Sequence, residues 1–222
     1  MVSRIISVCI GVPLLLGVVY SQTSDDGLHL TFEMEHGSPV TLVSADLGQS
    51  RVFSRGGARV FEIQALLTFR NSEARHIRGI SLVVAAGNHT PGSRGVVRSA
   101  VFDIPEGVAF PVPIELRLCR SVQEPDSAPV RVRLDGVLFD DLGFYGRDES
   151  GSRQWLTARE SEAHAARLHL KTLLERYGIE ALRSEVLSTV RHERLAATEG
   201  LRLADIYRTH GMRALIGELR RF

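Results

Sequence analysis

The stretch Leu28-His29-Leu30-Thr31-Phe32-Glu33-Met34-Glu35 decides the fold. Leu28, Leu30, Phe32 and Met34 alternate with His29, Thr31, Glu33 and Glu35, a period of two that places apolar side chains on one face of a strand and polar ones on the other. The same period recurs downstream. Phe61, Ile63, Ala65, Leu67 and Phe69 share one face; Arg78, Ile80, Leu82 and Val84 share another; Ile114, Leu116 and Leu118 alternate with Glu115 and Arg117; Val130, Val132 and Leu134 alternate with Arg131, Arg133 and Asp135. Weaker runs near 39–46 and 96–104 bring the expectation to about seven strands, the number an immunoglobulin-like sandwich uses.

Turn residues punctuate these runs: Asp25-Asp26-Gly27, Gly56-Gly57, Gly87-Asn88, Pro91-Gly92 and Pro105-Glu106-Gly107. Pro111 and Pro113 carry more information. Residues two apart in a strand aim their amides to the same side, and both of these lack the N–H, so that strand is expected at a sheet edge.

Near residue 150 the period changes. Thr157 with Glu160 three residues later forms a capping-box pattern, and Ala163, Ala166, Leu170, Leu173, Leu174 and Tyr177 follow at helical spacing up to Gly178. Ile179, Leu182, Val186, Leu187 and Val190 make a second stripe. Beyond Gly200 and Gly211, Met212, Leu215, Ile216, Leu219 and Phe222 make a third. The expected organisation is a β-sandwich domain over 22–146, a linker over 147–156 and a two- to three-helix C-terminal region over 157–222.

The first 21 residues read as a signal peptide. Arg4 supplies a positive charge, Ile5 to Tyr20 is apolar with Pro13 inside it, and the small residue Ser21 before Gln22 suits a signal-peptidase cut between the two. The alternative for the same segment is a single N-terminal anchor, for which the run is short. No later segment is apolar enough to span a bilayer, and the expected destination is periplasmic or extracellular.

Composition narrows the chemistry. The chain of 222 residues has two cysteines, and Cys9 leaves with the signal, so Cys119 is the single thiol expected in the mature chain, half exposed and the one redox-sensitive position. The formal net charge is +1, and loss of Arg4 makes it zero. That neutrality divides unequally: residues 22–151 hold 13 Arg against 17 acids, a net −4, and residues 152–222 hold 12 Arg and Lys171 against 9 acids, a net +4. Glu180, Glu185, Glu193, Glu199 and Asp205 interrupt Arg183, Arg191, Arg194, Arg202 and Arg208, which describes a solvated, ion-paired surface and argues against nucleic acid.

The stretch from Asp135 to Tyr145 gathers acids and aromatics. Asp135, Asp140 and Asp141 are oxygen donors of the kind calcium takes, but they lack EF-hand spacing and read as turn acids, so no metal is expected. Phe139, Phe144, Tyr145 and Trp155 suit either a sugar-stacking platform or a seal between sandwich and first helix, the latter favoured by how often such side chains are buried. Asp135, Asp140, Asp141, Phe144, Tyr145 and Trp155 are therefore the candidate binding surface. His164 and His169 are five apart, off a shared helix face; no G-x-S-x-G elbow, P-loop or G-x-G-x-x-G occurs, and no catalytic residue or cofactor is expected. Asn88-His89-Thr90 matches a glycosylation sequon.

Val132-Arg133-Leu134-Asp135-Gly136-Val137-Leu138-Phe139-Asp140-Asp141, then Phe144-Tyr145-Gly146 and an Arg- and Glu-rich helix, resembles exported bacterial proteins with an immunoglobulin- or fibronectin-like sandwich followed by helices. The resemblance covers roughly residues 28–175. It implies the two-part architecture and no activity or functional residue. The expected function is a non-enzymatic exported interaction or structural protein of the bacterial envelope, binding a protein partner, or itself, through the sandwich or the helical tail. The alternatives are a carbohydrate- or envelope-binding module and, third, a hydrolase with an unrecognised site.

Overall fold

A computed structural model describes residues 19–24, 27–87, 91–123, 129–191 and 198–221. The part before Val19 of the segment read as a signal, the tripeptide read as a sequon and the last stripe residue, Phe222, lie outside the described residues. The chain divides into two compact units, residues 1–156 and 157–222.

The first unit is built from ten strands: β1 (Val19–Thr23), β2 (His29–Glu33), β3 (Val40–Asp46), β4 (Arg51–Arg55), β5 (Ala58–Asn71), β6 (Ile77–Ala85), β7 (Arg94–Ile104), β8 (Ala109–Ser121), β9 (Val130–Phe139) and β10 (Phe144–Tyr145). One sheet runs β1-β2-β9-β6-β7 with β10 added on β9. In the other, β5 is central: β8 pairs along one of its edges from Ala58 to Arg70, and β3 and β4 share the other. Every pairing is antiparallel except that of β2 with β9. The about seven strands read from periodicity are all present. The three added ones left little trace: β4 (RVFSR) is short and polar, β10 has two residues, and the first three of the five residues of β1 fall in the segment read as leader.

The alternating residues do what their period requires. Phe61, Ile63, Leu67 and Phe69 of β5 and Phe110, Val112 and Ile114 of β8 join Phe32, Ile80 and Val132 of the other sheet in one apolar core. At about 1.5–3 kcal/mol for each buried side chain, this core is the main source of stability in the unit. Pro111 and Pro113 pair with Thr68 and Leu66, and among the described residues β8 pairs no strand but β5, so their missing amides fall on an edge.

The outer face of β6 and β9 departs from simple alternation. Ser81 and Val83 on β6, and Asp135 and Leu138 on β9, are buried along with the inward residues. Their cover is the segment expected as a linker. Residues 147–156 belong to the β unit: Asp148 N donates to Asp135 O at 3.2 Å, Ser152 and Leu156 are fully buried, and α1 (Ser152–Arg191) starts five residues before the predicted position. The cap is Asp148, whose Oδ1 accepts from Arg153 N at 2.8 Å. Thr157 is therefore inside the helix, and Glu160 serves a different purpose from the capping box read for it. Close approach needs glycine: a Cβ on Gly136 would sit 2.0 Å from Phe144 Cζ, and one on Gly79 would sit 2.6 Å from Leu156 Cδ2.

The second unit comprises the rest of α1 and α2 (Thr198–Arg220). Each helix is broken once by a glycine, Gly178 (φ 80°, ψ −172°) and Gly211 (φ 79°, ψ −179°), a left-handed φ that residues with a Cβ resist. These breaks are two copies of one feature. Residues 33 apart match along both helices: Leu168 with Leu201, Leu170 with Leu203, Ala181 with Ala214, Leu182 with Leu215 and Glu185 with Glu218. Leu170 and Leu203, Leu182 and Leu215, and Val186 and Leu219 are all buried in one cluster. A side-chain contact to the matching glutamate repeats as well, His169 Nε2 to Glu185 Oε1 at 3.5 Å and Arg202 Nη2 to Glu218 Oε1 at 2.9 Å. The unit is a tandem pair of helix–glycine–helix elements. Three stripe residues read as apolar-face members are instead exposed: Tyr177 at 69%, Ile179 at 50% and Leu187 at 40%.

Candidate functional site

The candidate residues of the sequence fall into separate places. Asp135 is the centre of a buried polar knot where the segment before α1 crosses β6 and β9. Its Oδ1 accepts from Glu149 N at 2.9 Å, and its Oδ2 accepts from the Ser150 hydroxyl and, at 3.5 Å, from Ser81. Ser152 Oγ lies 2.6 Å from Ser81 Oγ and 2.7 Å from Ser150 Oγ, and accepts from Arg98 Nε at 3.1 Å. Arg98 also donates to Ser150 O at 2.6 Å, and its guanidinium stands 5.9 Å from the ring centre of half-buried Trp155. Burial by itself pushes the Asp135 carboxyl up, but the hydroxyls of Ser150 and Ser152 and the amides of Glu149 and Ser150 outweigh it and hold it below its ordinary value. Glu149 faces outward from this knot to Arg133 at 2.6 Å and Arg94 at 2.9 Å.

Asp140 and Asp141 lie elsewhere, in the exposed turn between β9 and β10. Asp141 Oδ1 accepts from Gly143 N at 2.8 Å, its Oδ2 lies 3.6 Å from Arg75 Nη1, and Asp140 Oδ1 accepts from Asp141 N at 3.1 Å. These are turn acids. The three carboxylates do not converge, and among the described residues no group of three His, Cys, Asp or Glu is placed to hold a metal. The aromatics do not make one exposed platform either. Phe139 is fully buried with the Arg75 guanidinium 3.7 Å from its ring centre, and Phe144 lies against Gly136. Tyr145 packs on the core, where burial and then the Glu35 carboxylate push its hydroxyl up. Cys119 is half buried on β8 opposite Val60, its amide donating to Gly92 O at 3.0 Å. Ser21 and Gln22 lie inside β1, opposite Thr31 and Leu30.

The helical unit holds a charge cluster, two members of which, Glu199 and Arg202, the sequence reading placed on a solvated surface. Arg167, Glu199 and Glu160 are all buried. Arg167 Nε donates to Glu199 Oε1 at 2.7 Å and its Nη1 to Glu160 Oε1 at 3.2 Å; Arg202 Nε donates to Glu199 Oε2 at 2.8 Å and its Nη2 to Glu218 Oε1 at 2.9 Å. Burial pulls the Arg202 guanidinium down, while Glu199 and Glu218 together hold it above its ordinary value. A signal was available: Glu160, Ala163, Arg167 and Leu170 recur at helical spacing, so two charges stand on the buried stripe itself. Glu199 is thereby corrected from a solvated residue to the hub of a buried network.

The molecule is a mainly antiparallel, two-sheet β protein with two C-terminal helices. No protein-family model, no curated protein and no solved structure matches the chain. Among the described residues no helix is long and apolar enough to cross a membrane.

Proposed function

We propose that this chain is an exported, non-enzymatic interaction protein of the bacterial envelope that binds a protein partner through its helical unit. One observation carries the reading: Leu168, Tyr177, Ile179 and Leu187 of α1 are 40–69% exposed on a unit whose own apolar core is already filled by their neighbours. Tyr177 and Ile179 stand on either side of the Gly178 break, and large apolar side chains left in water favour a partner that covers them. The polar knot supports the same view, because Asp135 and its hydroxyl partners are buried and engaged with each other within the β unit, where they hold the first turn of α1. The carbohydrate alternative has less support, since Phe139 is buried and Trp155 is half covered.

For the β unit the proposal is an immunoglobulin-like sandwich. Two sheets over one core, with β5 and β8 in one and β6 and β9 in the other, support it.

The test uses the full chain as bait on envelope fractions, beside a Tyr177→Ser/Ile179→Ser variant. Wild type is expected to enrich a defined protein at least about tenfold over the variant, as loss of two exposed contacts worth roughly 0.7 kcal/mol each would give. Equal recovery overturns the helical surface as the binding site. A saturable hydrolytic or transfer activity in the purified protein overturns the non-enzymatic reading.

A further inference from the structure

We propose that the mature protein keeps β1, so that the Ser21–Gln22 bond is not the processing site and the mature chain begins at or before Val19. This rests on the export reading above and changes its boundary. The five residues of β1 pair with β2 from Val19 opposite Glu33 to Thr23 opposite His29. The bond read as scissile lies in the middle of that ladder. Tyr20 and Gln22 stand opposite Phe32 and Leu30, both buried, and Tyr20 packs against the shared core. On the other face the Ser21 hydroxyl and His29 Nε2 share a hydrogen bond across the two strands.

Cleavage after Ser21 would remove three of the five paired residues, the Tyr20 packing and the Ser21–His29 bond, leaving Gln22 opposite Leu30 and Thr23 opposite His29. Two residue pairs are too few to hold a strand, and the outer edge of β2 would then present unpaired backbone groups beside the core. A leader has no need of an inward-facing aromatic matched to the mature fold. A structural edge strand does, and β1 closes the edge that the parallel β2–β9 pair would otherwise leave open.

The test expresses the full chain with a C-terminal tag in a secretion-competent bacterium and measures the intact mass of the protein in separated envelope and cytoplasmic fractions. Envelope protein whose first residue is Val19 or earlier is the expected result. A first residue of Gln22 overturns the proposal and leaves export standing, whereas full-length protein confined to the cytoplasm overturns the export reading and the proposal with it. A Tyr20→Ser variant of the full chain gives an independent measurement. It is expected to lower the melting temperature of the recovered protein by about 3 °C; unchanged melting overturns the proposal, because a residue removed in processing has no effect on the mature fold.

Discussion

The two units bury polar groups in opposite ways. In the β unit the central buried carboxylate, Asp135, is met by hydroxyls and backbone amides, and the apolar core runs through both sheets. In the helical unit seven buried apolar residues form the core, and beside them five charged side chains bond to one another. Ladders satisfy strand backbones and leave side chains free to be apolar, so the β unit draws its specificity from register. Helices of a small unit slide and rotate more readily. A buried ionic network costs desolvation, but its hydrogen bonds are all met at one register of Arg167 against Glu199 and of Arg202 against Glu218.

The sharpest way to break this contrast is to remove one ion. Arg167→Ala removes the guanidinium that buried Glu160 and Glu199 share, leaves Glu199 with Arg202, and is expected to destabilise the helical unit by about 3–5 kcal/mol. Urea unfolding followed by helical circular dichroism reads this loss. A change below about 1 kcal/mol would mean that the network is relaxed by water and pins nothing. Replacing Glu160, Arg167 and Glu199 together by apolar residues of similar volume should return most of the stability, which distinguishes a registry device from a source of stability.

The tandem repeat makes a finer comparison within one unit. Leu182 and Leu215 occupy equivalent places, both fully buried. Leu182→Ala and Leu215→Ala are each expected to cost about 3 kcal/mol, with similar midpoint shifts in the same urea experiment. A large cost at one and almost none at the other would show that the halves match in sequence without matching in structure.

Much of the two-sheet β unit was legible because a period of two survives wherever one face is buried, as in Phe61 to Phe69 and Ile114 to Leu118. The paired prolines identified an edge for a chemical reason that packing does not override. Legibility failed where a local signal was weak or pointed elsewhere. β4 has five residues with an arginine at each end, and residues 147–156 are polar enough to pass for a linker although their serines and Asp148 bond inward. Charged residues default to the surface, so Arg167 and Glu199 were hidden by their type even though Arg167 stands on the apolar stripe. Of the candidate site, Asp140 and Asp141 were rightly read as turn acids. Asp135 was not separable from them, because its burial depends on a segment that returns from beyond β10.

Asp135 offers the smallest effect and the most specific one. Its carboxyl is held below its ordinary value in the folded protein, so the unfolded chain binds a proton at a higher pH than the folded one. The resulting stabilisation is fully present above the unfolded value of about 4 and is lost as pH falls through the lower, folded value. Asp135→Asn retains the shape and removes the charge. At neutral pH it is expected to cost about 1.5–3 kcal/mol, the scale of hydrogen bonds to a charged group, read as the unfolding midpoint of the β unit. As pH drops below about 4 the gap between wild type and variant should narrow, because the wild-type carboxyl becomes neutral as well. Groups remote from Asp135 contribute alike to both proteins and cancel in the difference. A gap that stays constant down to pH 2 would show that Asp135 is held by packing alone, and the contrast between hydroxyl-capped and ion-paired burial would then have to be drawn elsewhere.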